Sequence, residues 1–176
     1  EKQLFKHVML GLPGNTDSFT PQKILTLLES YKNINNEVLR KNLVAFLNEI
    51  CPIAEECGVK LAIHPDDPPF SVLGLPRIVS SYNDLKQLFE SVKSNVNGLC
   101  YCTGSLAALP SNDLLKIYDD FEHRIHFLHL RNIKRENQHV FRESMHLEGD
   151  VPMKEVMTRI IQSMNQRKVN LPMRPD

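Results

Sequence analysis

Four side chains in this sequence are of metal-ligating type and stand where four successive strands are read to end: His64, Cys102, His129 and Asp176. An N, S, N, O donor set suits a borderline divalent ion such as Mn²⁺, Fe²⁺, Co²⁺ or Zn²⁺. The donors are far apart along the chain, so no short spacing motif announces them. The regularity lies in strand position. Parallel α/β folds build their sites at the carboxyl ends of strands, and four neighbouring strands would bring these groups to one rim. Each residue alone has an ordinary alternative. A strand-end histidine is more often hydrogen-bonded than metal-bound, and a free cysteine on a buried strand is usually a small hydrophobe; Cys100 points to the same face. Asp176 by itself says little, being terminal. Jointly the four form a more specific pattern than any one of them.

Other polar residues near the same strand ends carry weaker signals. Asp66 and Asp67 could orient a substrate or a ligand, but Pro-Asp-Asp-Pro-Pro is also turn chemistry, which is expected to explain at least one of them. Arg131 follows His129 and could hold a carboxylate through two parallel hydrogen bonds; its alternative is a surface ion pair. His146 and Glu148 could line the site, whereas Asp150 is read as a helix cap. His123 and His126 read as structural, the first before its strand and the second facing away from His129 by strand parity. The methionines at 153, 157 and 164 read as core.

The elements that must position these groups alternate helix and strand. Thr20-Pro21 opens a short amphipathic helix carrying Ile24, Leu27, Leu28 and Tyr31. A second helix keeps one apolar face from Leu39 to Cys57, with Pro52 expected to kink it and Gly58 to stop it. Val59 to Ile63 is a compact strand, and Pro76 to Val79 a short extended piece. Ser81 with Asp84 is a capping box for a helix over Leu85, Leu88, Phe89 and Val92. Asn97-Gly98 then leads into the strand Leu99 to Cys102, ended by Thr103-Gly104-Ser105. Ser111 or Asn112 opens the next helix, and Arg124 to Leu130 follows as a strand. The polar stretch from Arg131 to Gly149 has no clear period and reads as a functional loop. A last helix from Asp150-Pro152 leads to a strand from Val169 to Met173. The apolar stretch from Phe5 to Leu12 supports no assignment.

Helix then strand, four times over, argues for a parallel α/β sheet. The strand ends are 38, 27 and 47 residues apart, against roughly 31 per unit in a (β/α)8 barrel of ~250 residues. Four units make half a barrel, which leaves either missing barrel strands or an open doubly wound sheet. No GxGxxG fingerprint favours a dinucleotide-binding version.

Composition narrows the classes. With 176 residues, 41% hydrophobic and 24% charged, the chain is one ordinary globular domain by size. Its 21 basic and 21 acidic residues cancel, so nucleic acid is not an expected partner. No apolar run reaches the ~20 residues of a membrane span, and the first residues lack a secretory layout, so a cytoplasmic location with reduced thiols is expected. The sequence starts without Met and stops just after a strand, so a longer protein is expected around it.

At these residues the sequence resembles a known family, mannonate dehydratase of the xylose-isomerase-like barrel superfamily. The matching stretches are Leu-Ala-Ile-His-Pro-Asp-Asp-Pro-Pro at 61–69, Leu-Gly-Leu-Pro-Arg-Ile-Val-Ser at 73–80 and Cys-Thr-Gly-Ser at 102–105. They continue with His-Leu-Arg at 129–131, His-Leu-Glu-Gly-Asp-Val at 146–151 and Pro-Met-Arg-Pro-Asp at 172–176, with Gly-Leu-Pro-Gly at 11–14 as well. The resemblance implies that residues 1–176 are about the C-terminal half of a single (β/α)8 TIM barrel, with earlier strands and a segment after Asp176 lying outside it. It also implies a catalytic Mn²⁺ or Fe²⁺ on His64, Cys102, His129 and Asp176. The implied reaction is dehydration of D-mannonate to 2-keto-3-deoxy-D-gluconate in hexuronate breakdown, by a homo-oligomer. Arg131 and His146 are the expected substrate contacts, with the general base and acid outside this segment. Two rival readings are a metal-dependent sugar isomerase or epimerase on the same barrel, and a catalytically silent metal-binding domain.

Overall fold

A computed structural model describes residues 20–175 of the chain. The segment from Phe5 to Leu12, the Gly-Leu-Pro-Gly stretch and Asp176 lie outside the described residues. The first helix, α1 (Pro21–Ser30), starts where Thr20 accepts a hydrogen bond from the Lys23 N–H. The second, α2 (Asn36–Glu56), is capped by Asn35, which accepts from Val38 N–H; Pro52 lies within it, and Gly58 follows at a φ of +66°. That left-handed conformation is open to glycine without a Cβ penalty and ends the helix.

Strand β1 (Leu61–Ile63) is shorter than its apolar run, and α3 (Tyr82–Ser91) carries the Ser81–Asp84 capping box. Strand β2 (Asn97–Cys102) begins two residues earlier than expected, because Asn97 and Gly98 pair with Leu61 and Ala62. Thr103-Gly104-Ser105 does more than end that strand. It begins a five-residue helix, α4 (Thr103–Ala107), capped by the Cys102 sulfur. Helix α5 (Leu114–Phe121) is capped by Asp113 in place of Ser111 or Asn112. Asn112 instead ties loops together, donating to the carbonyls of Ser80 and Leu106 and accepting from the Tyr82 N–H.

Strand β3 (Ile125–Leu130) lies beside β2. The stretch expected to be a loop is an antiparallel hairpin of β4 (Asn132–Asn137) and β5 (Val140–Ser144). Only Ile133 is a fully buried apolar residue on β4, so no period-two pattern was there to read. Asp150 is not a helix cap. Its carboxylate binds Lys134 Nζ at 2.9 Å and the Arg135 N–H at 2.9 Å, closing the base of the hairpin. Helix α6 (Met153–Arg167) starts at Pro152 with no side-chain cap, and the final strand, β6 (Met173–Pro175), comes later than expected.

The four parallel strands lie in the order β1-β2-β3-β6. Each new strand joins the same side of the last, whereas a doubly wound sheet reverses direction at a switch point. Right-handed crossovers that always advance one way put the helices connecting successive strands, α3, α5 and α6, on one face. The core agrees: Leu99, Tyr101, Ile125, Leu128 and Leu130 pack with Leu47, Leu85, Leu88, Ile117, Tyr118, Val156 and Ile160 from the helices, while Ala62, Cys100, Cys102, Phe127 and His129 lie outside that cluster. Since alternate residues point to opposite faces, the second set shares the face that, among the described residues, none of the connecting helices covers.

His126 shows where simple parity fails. Leu99 is opposite Ile125 and Cys100 opposite Phe127, so His126 is the extra residue of a bulge. Its ring occupies the space a Cβ on Gly98 would need, and Nδ1 reaches the Leu61 carbonyl at 2.7 Å. It is a structural histidine, as expected. The bulge, however, breaks the alternation and brings it to Gly98's side of the sheet, towards the amino ends of the strands.

Candidate metal centre

The ends of β1, β2 and β3 bring His64, Cys102 and His129 together, with one ligand atom from each lying within 4.8 Å of the others. His64 immediately follows β1, Cys102 is the last residue of β2, and His129 is opposite Cys102 in the register. His64 Nδ1 is 2.7 Å from the Pro65 carbonyl, so this nitrogen donates there and Nε2 is the ring nitrogen left to face the cluster. Nε2 is 3.2 Å from His129 Nδ1. That separation fits two neighbouring nitrogens each roughly 2.1 Å from one shared ion. The donor set therefore fits a divalent metal.

The electrostatics separate the two cysteines of β2. For Cys102, burial pushes the thiol up, but hydrogen bonds with His64 and with the Ser105 hydroxyl and N–H, with His129 nearby, bring it down to about 7. Cys100 is pushed up to about 12 by burial and by its neighbour Cys102. One sulfur is prepared as a thiolate and the other remains a small hydrophobe. The hydrogen bond with Cys102 holds His64 above the usual imidazole value, against the effect of burial.

Around this cluster the two aspartates of the 64–69 loop divide their work. Asp66 Oδ2 accepts from the Ile78 and Val79 N–H groups at 2.8 and 2.7 Å and from the Ser80 hydroxyl at 2.9 Å. It folds the Pro76 to Val79 segment back over the loop and is structural. Asp67 faces the site, with Oδ2 2.7 Å from Arg131 Nη1 and 3.2 Å from the Ser105 hydroxyl.

Arg131 thus comes to the rim, held there by a carboxylate of its own chain. Gly104 makes room for it, since a Cβ at that position would lie 2.5 Å from Arg131 Nε. His146 follows the hairpin, and its Nε2 is 2.9 Å from the Leu130 carbonyl, one residue past His129. Glu148 lines an open cleft of about 760 Å³ with His146, Lys134 and Arg142. Asp176 lies outside the described residues; the preceding strand β6 runs beside β3 with Arg174 opposite His129.

Thr103, Ser105 and the particular role of Asp67 were not singled out from sequence. The one available signal was Ser105, three residues after Cys102, the spacing at which an N-cap atom meets a backbone N–H.

Fold and cluster define a parallel α/β protein with a His-Cys-His group at the carboxyl end of its sheet. Comparison with known proteins makes the class specific. The family model described as D-mannonate dehydratase (UxuA) matches residues 1–176, and the chain belongs to that family. A mannonate dehydratase of Rhizobium meliloti (strain 1021) is 41% identical over 182 residues, covering 98% of this chain and 45% of the relative. One from Oceanobacillus iheyensis is 45% identical over 169 residues, covering 95% of this chain and 47% of the relative. The crystal structure of mannonate dehydratase from Streptococcus suis serotype2 is similar at a TM-score of 0.78 and 36% identity, over 90% of this chain and 46% of that one. The chain spans about half the length of the curated relatives it matches. Among the described residues no helix is long and apolar enough to cross a membrane.

Proposed function

We propose that this chain carries the metal-binding half of an enzyme that dehydrates D-mannonate to 2-keto-3-deoxy-D-gluconate in hexuronate breakdown. The observation that carries the reading is the convergence of His64, Cys102 and His129 at three adjacent strand ends, in a member of the D-mannonate dehydratase family. Asp176, the residue after β6, is the proposed fourth ligand, and Mn²⁺ or Fe²⁺ the proposed ion. When bound, such an ion supplies Lewis acidity, offsetting the negative charge that develops when the proton next to the substrate carboxylate is removed.

The protein's own groups do the positioning. Arg131, half-buried and anchored by Asp67, is the proposed clamp for the substrate carboxylate, since guanidinium and carboxylate match in shape and charge. His146, tied to the Leu130 carbonyl, is the proposed second contact with the sugar acid. The general acid that must protonate the leaving hydroxyl, and the base, are assigned to parts of the enzyme outside this segment.

A (β/α)8 barrel is the proposed whole, with residues 1–176 forming about its C-terminal half. Three features support it: the one-way strand order, a sheet face that none of the connecting helices covers among the described residues and a length about half that of the relatives. The family likeness also supports a cytoplasmic homo-oligomer acting on a small sugar acid.

The test strips the full-length protein with chelator, restores Mn²⁺ and follows 2-keto acid formation from D-mannonate, with Cys102→Ala in parallel. Product that depends on metal and disappears in the variant supports the dehydratase. Bound metal without product points to a sugar isomerase or epimerase, or to a silent metal-binding domain.

A further inference from the structure

We infer that Ser105 and Asp67 are positioning residues that couple the Cys102 sulfur to the Arg131 guanidinium, so that the metal ligand and the carboxylate-binding group are held as one unit. The inference deepens the proposed metal site and rests on it. A continuous polar chain joins the two ends. Cys102 Sγ is 3.2 Å from the Ser105 hydroxyl, that hydroxyl is 3.2 Å from Asp67 Oδ2, and Asp67 Oδ2 is 2.7 Å from Arg131 Nη1. The members come from three different strand ends, so the chain also locks the loops after β1, β2 and β3 to one another.

Two features separate this role from simple helix capping. The cap of α4 is already made by the Ser105 N–H, 3.5 Å from Cys102 Sγ. The Ser105 hydroxyl is not needed for it. Yet the side chain is fully buried, and its one hydroxyl proton goes to the Asp67 carboxylate, which fixes the oxygen 3.2 Å from the sulfur, where an unpaired polar group would be penalised. Next to it, Thr103 Oγ1 donates to the Arg131 carbonyl at 2.6 Å. The Thr-Gly-Ser run thus holds Arg131 by its backbone, gives its side chain space and connects it to the sulfur. Partners that orient a metal ligand in this way typically contribute about 10–100-fold in metal affinity or activity.

The experiment loads the full-length protein with Co²⁺ and reads the thiolate-to-cobalt charge-transfer band, together with Co²⁺ affinity by chelator competition. Wild type is compared with Ser105→Ala, Asp67→Asn and the double variant. Each single variant is expected to weaken Co²⁺ by about 10–100-fold and to shift the band, and the double to be weaker than the worse single by no more than about threefold, because both act through one hydroxyl. Asp67 is partly exposed and Asn keeps its shape, so Asp67→Asn carries the test if Ser105→Ala folds poorly. A wild-type band and affinity in the variants, or fully multiplicative losses, would overturn the coupling alone. Absence of the band in wild type, with Cys102→Ala indistinguishable from it, would overturn the metal reading and the inference with it.

Discussion

The two faces of the central sheet solve different problems with adjacent residues. Leu99, Tyr101, Leu128 and Leu130 point into the helices and are buried in the apolar core, with Tyr101 also donating to the Leu114 carbonyl at 2.8 Å. The opposite face carries Ala62, Cys100, Cys102, Phe127 and His129, all outside that core, and among the described residues none of the connecting helices covers it. On the first face identity hardly matters beyond size and apolarity; on the second, chemistry is placed one residue away from the core that fixes it. A ligand on a strand end inherits its precision from neighbours it does not touch.

Substitution on each side of one peptide bond tests that division most sharply. His129→Ala removes a proposed ligand from the second face, and activity of the full-length enzyme is expected to fall by at least about 10³-fold, or about 4 kcal/mol of barrier. The urea midpoint of the metal-free protein should barely move. Leu128→Ala should do the reverse. Fully buried, it is expected to lower stability by about 2–5 kcal/mol through lost burial and a cavity, while folded protein retains metal affinity within a few-fold. Equal losses of stability in both variants would dissolve the distinction between the faces.

The distinction was partly legible in the sequence. His64, Cys102 and His129 could be found because each stands where an apolar run gives way to polar residues, and the capping box at Ser81 depends on contacts only three residues apart. The contacts among the positioning groups could not be found that way. Asp67, Ser105 and Arg131 meet only because loops from three strands converge, and nothing local to Pro-Asp-Asp-Pro-Pro says which aspartate turns inward. The hairpin at 132–144 was hidden for another reason: its pairing is held by backbone bonds and by Asp150 on Lys134 and Arg135, with little apolar alternation to reveal it.

A smaller effect is expected where the two faces are set apart at the amino ends of the strands. A Cβ on Gly98 would collide with the His126 ring and with the Arg124 carbonyl. The ring could turn away, but the carbonyl is backbone and cannot yield cheaply. Gly98→Ala is expected to cost about 1–3 kcal/mol, read by urea denaturation, with the metal-site spectrum unchanged. A neutral result would show that the bulge at His126 relaxes freely and does not fix the register of β3 on β2.

The smallest effect is a pH dependence carried by His126 itself. Burial holds its imidazole below the ordinary value of 6.5, outweighing the bond to the Leu61 carbonyl. In the unfolded chain the ring titrates near its ordinary value, about 6.5. As pH falls through that value the unfolded state takes up a proton that the folded state refuses, so the unfolded state binds more protons and stability declines. The decline ends below the depressed folded value, where both states are protonated; above about 6.5 both are neutral and this group contributes no slope. His126→Gln keeps an N–H for the Leu61 carbonyl and removes the titration. Urea midpoints of wild type and variant at pH 7.5 and pH 5.5 should therefore differ in one direction, with wild type losing more stability on acidification. An identical loss in both would mean that water reaches the ring in the folded protein, and that the amino end of the second face is as open as its rim.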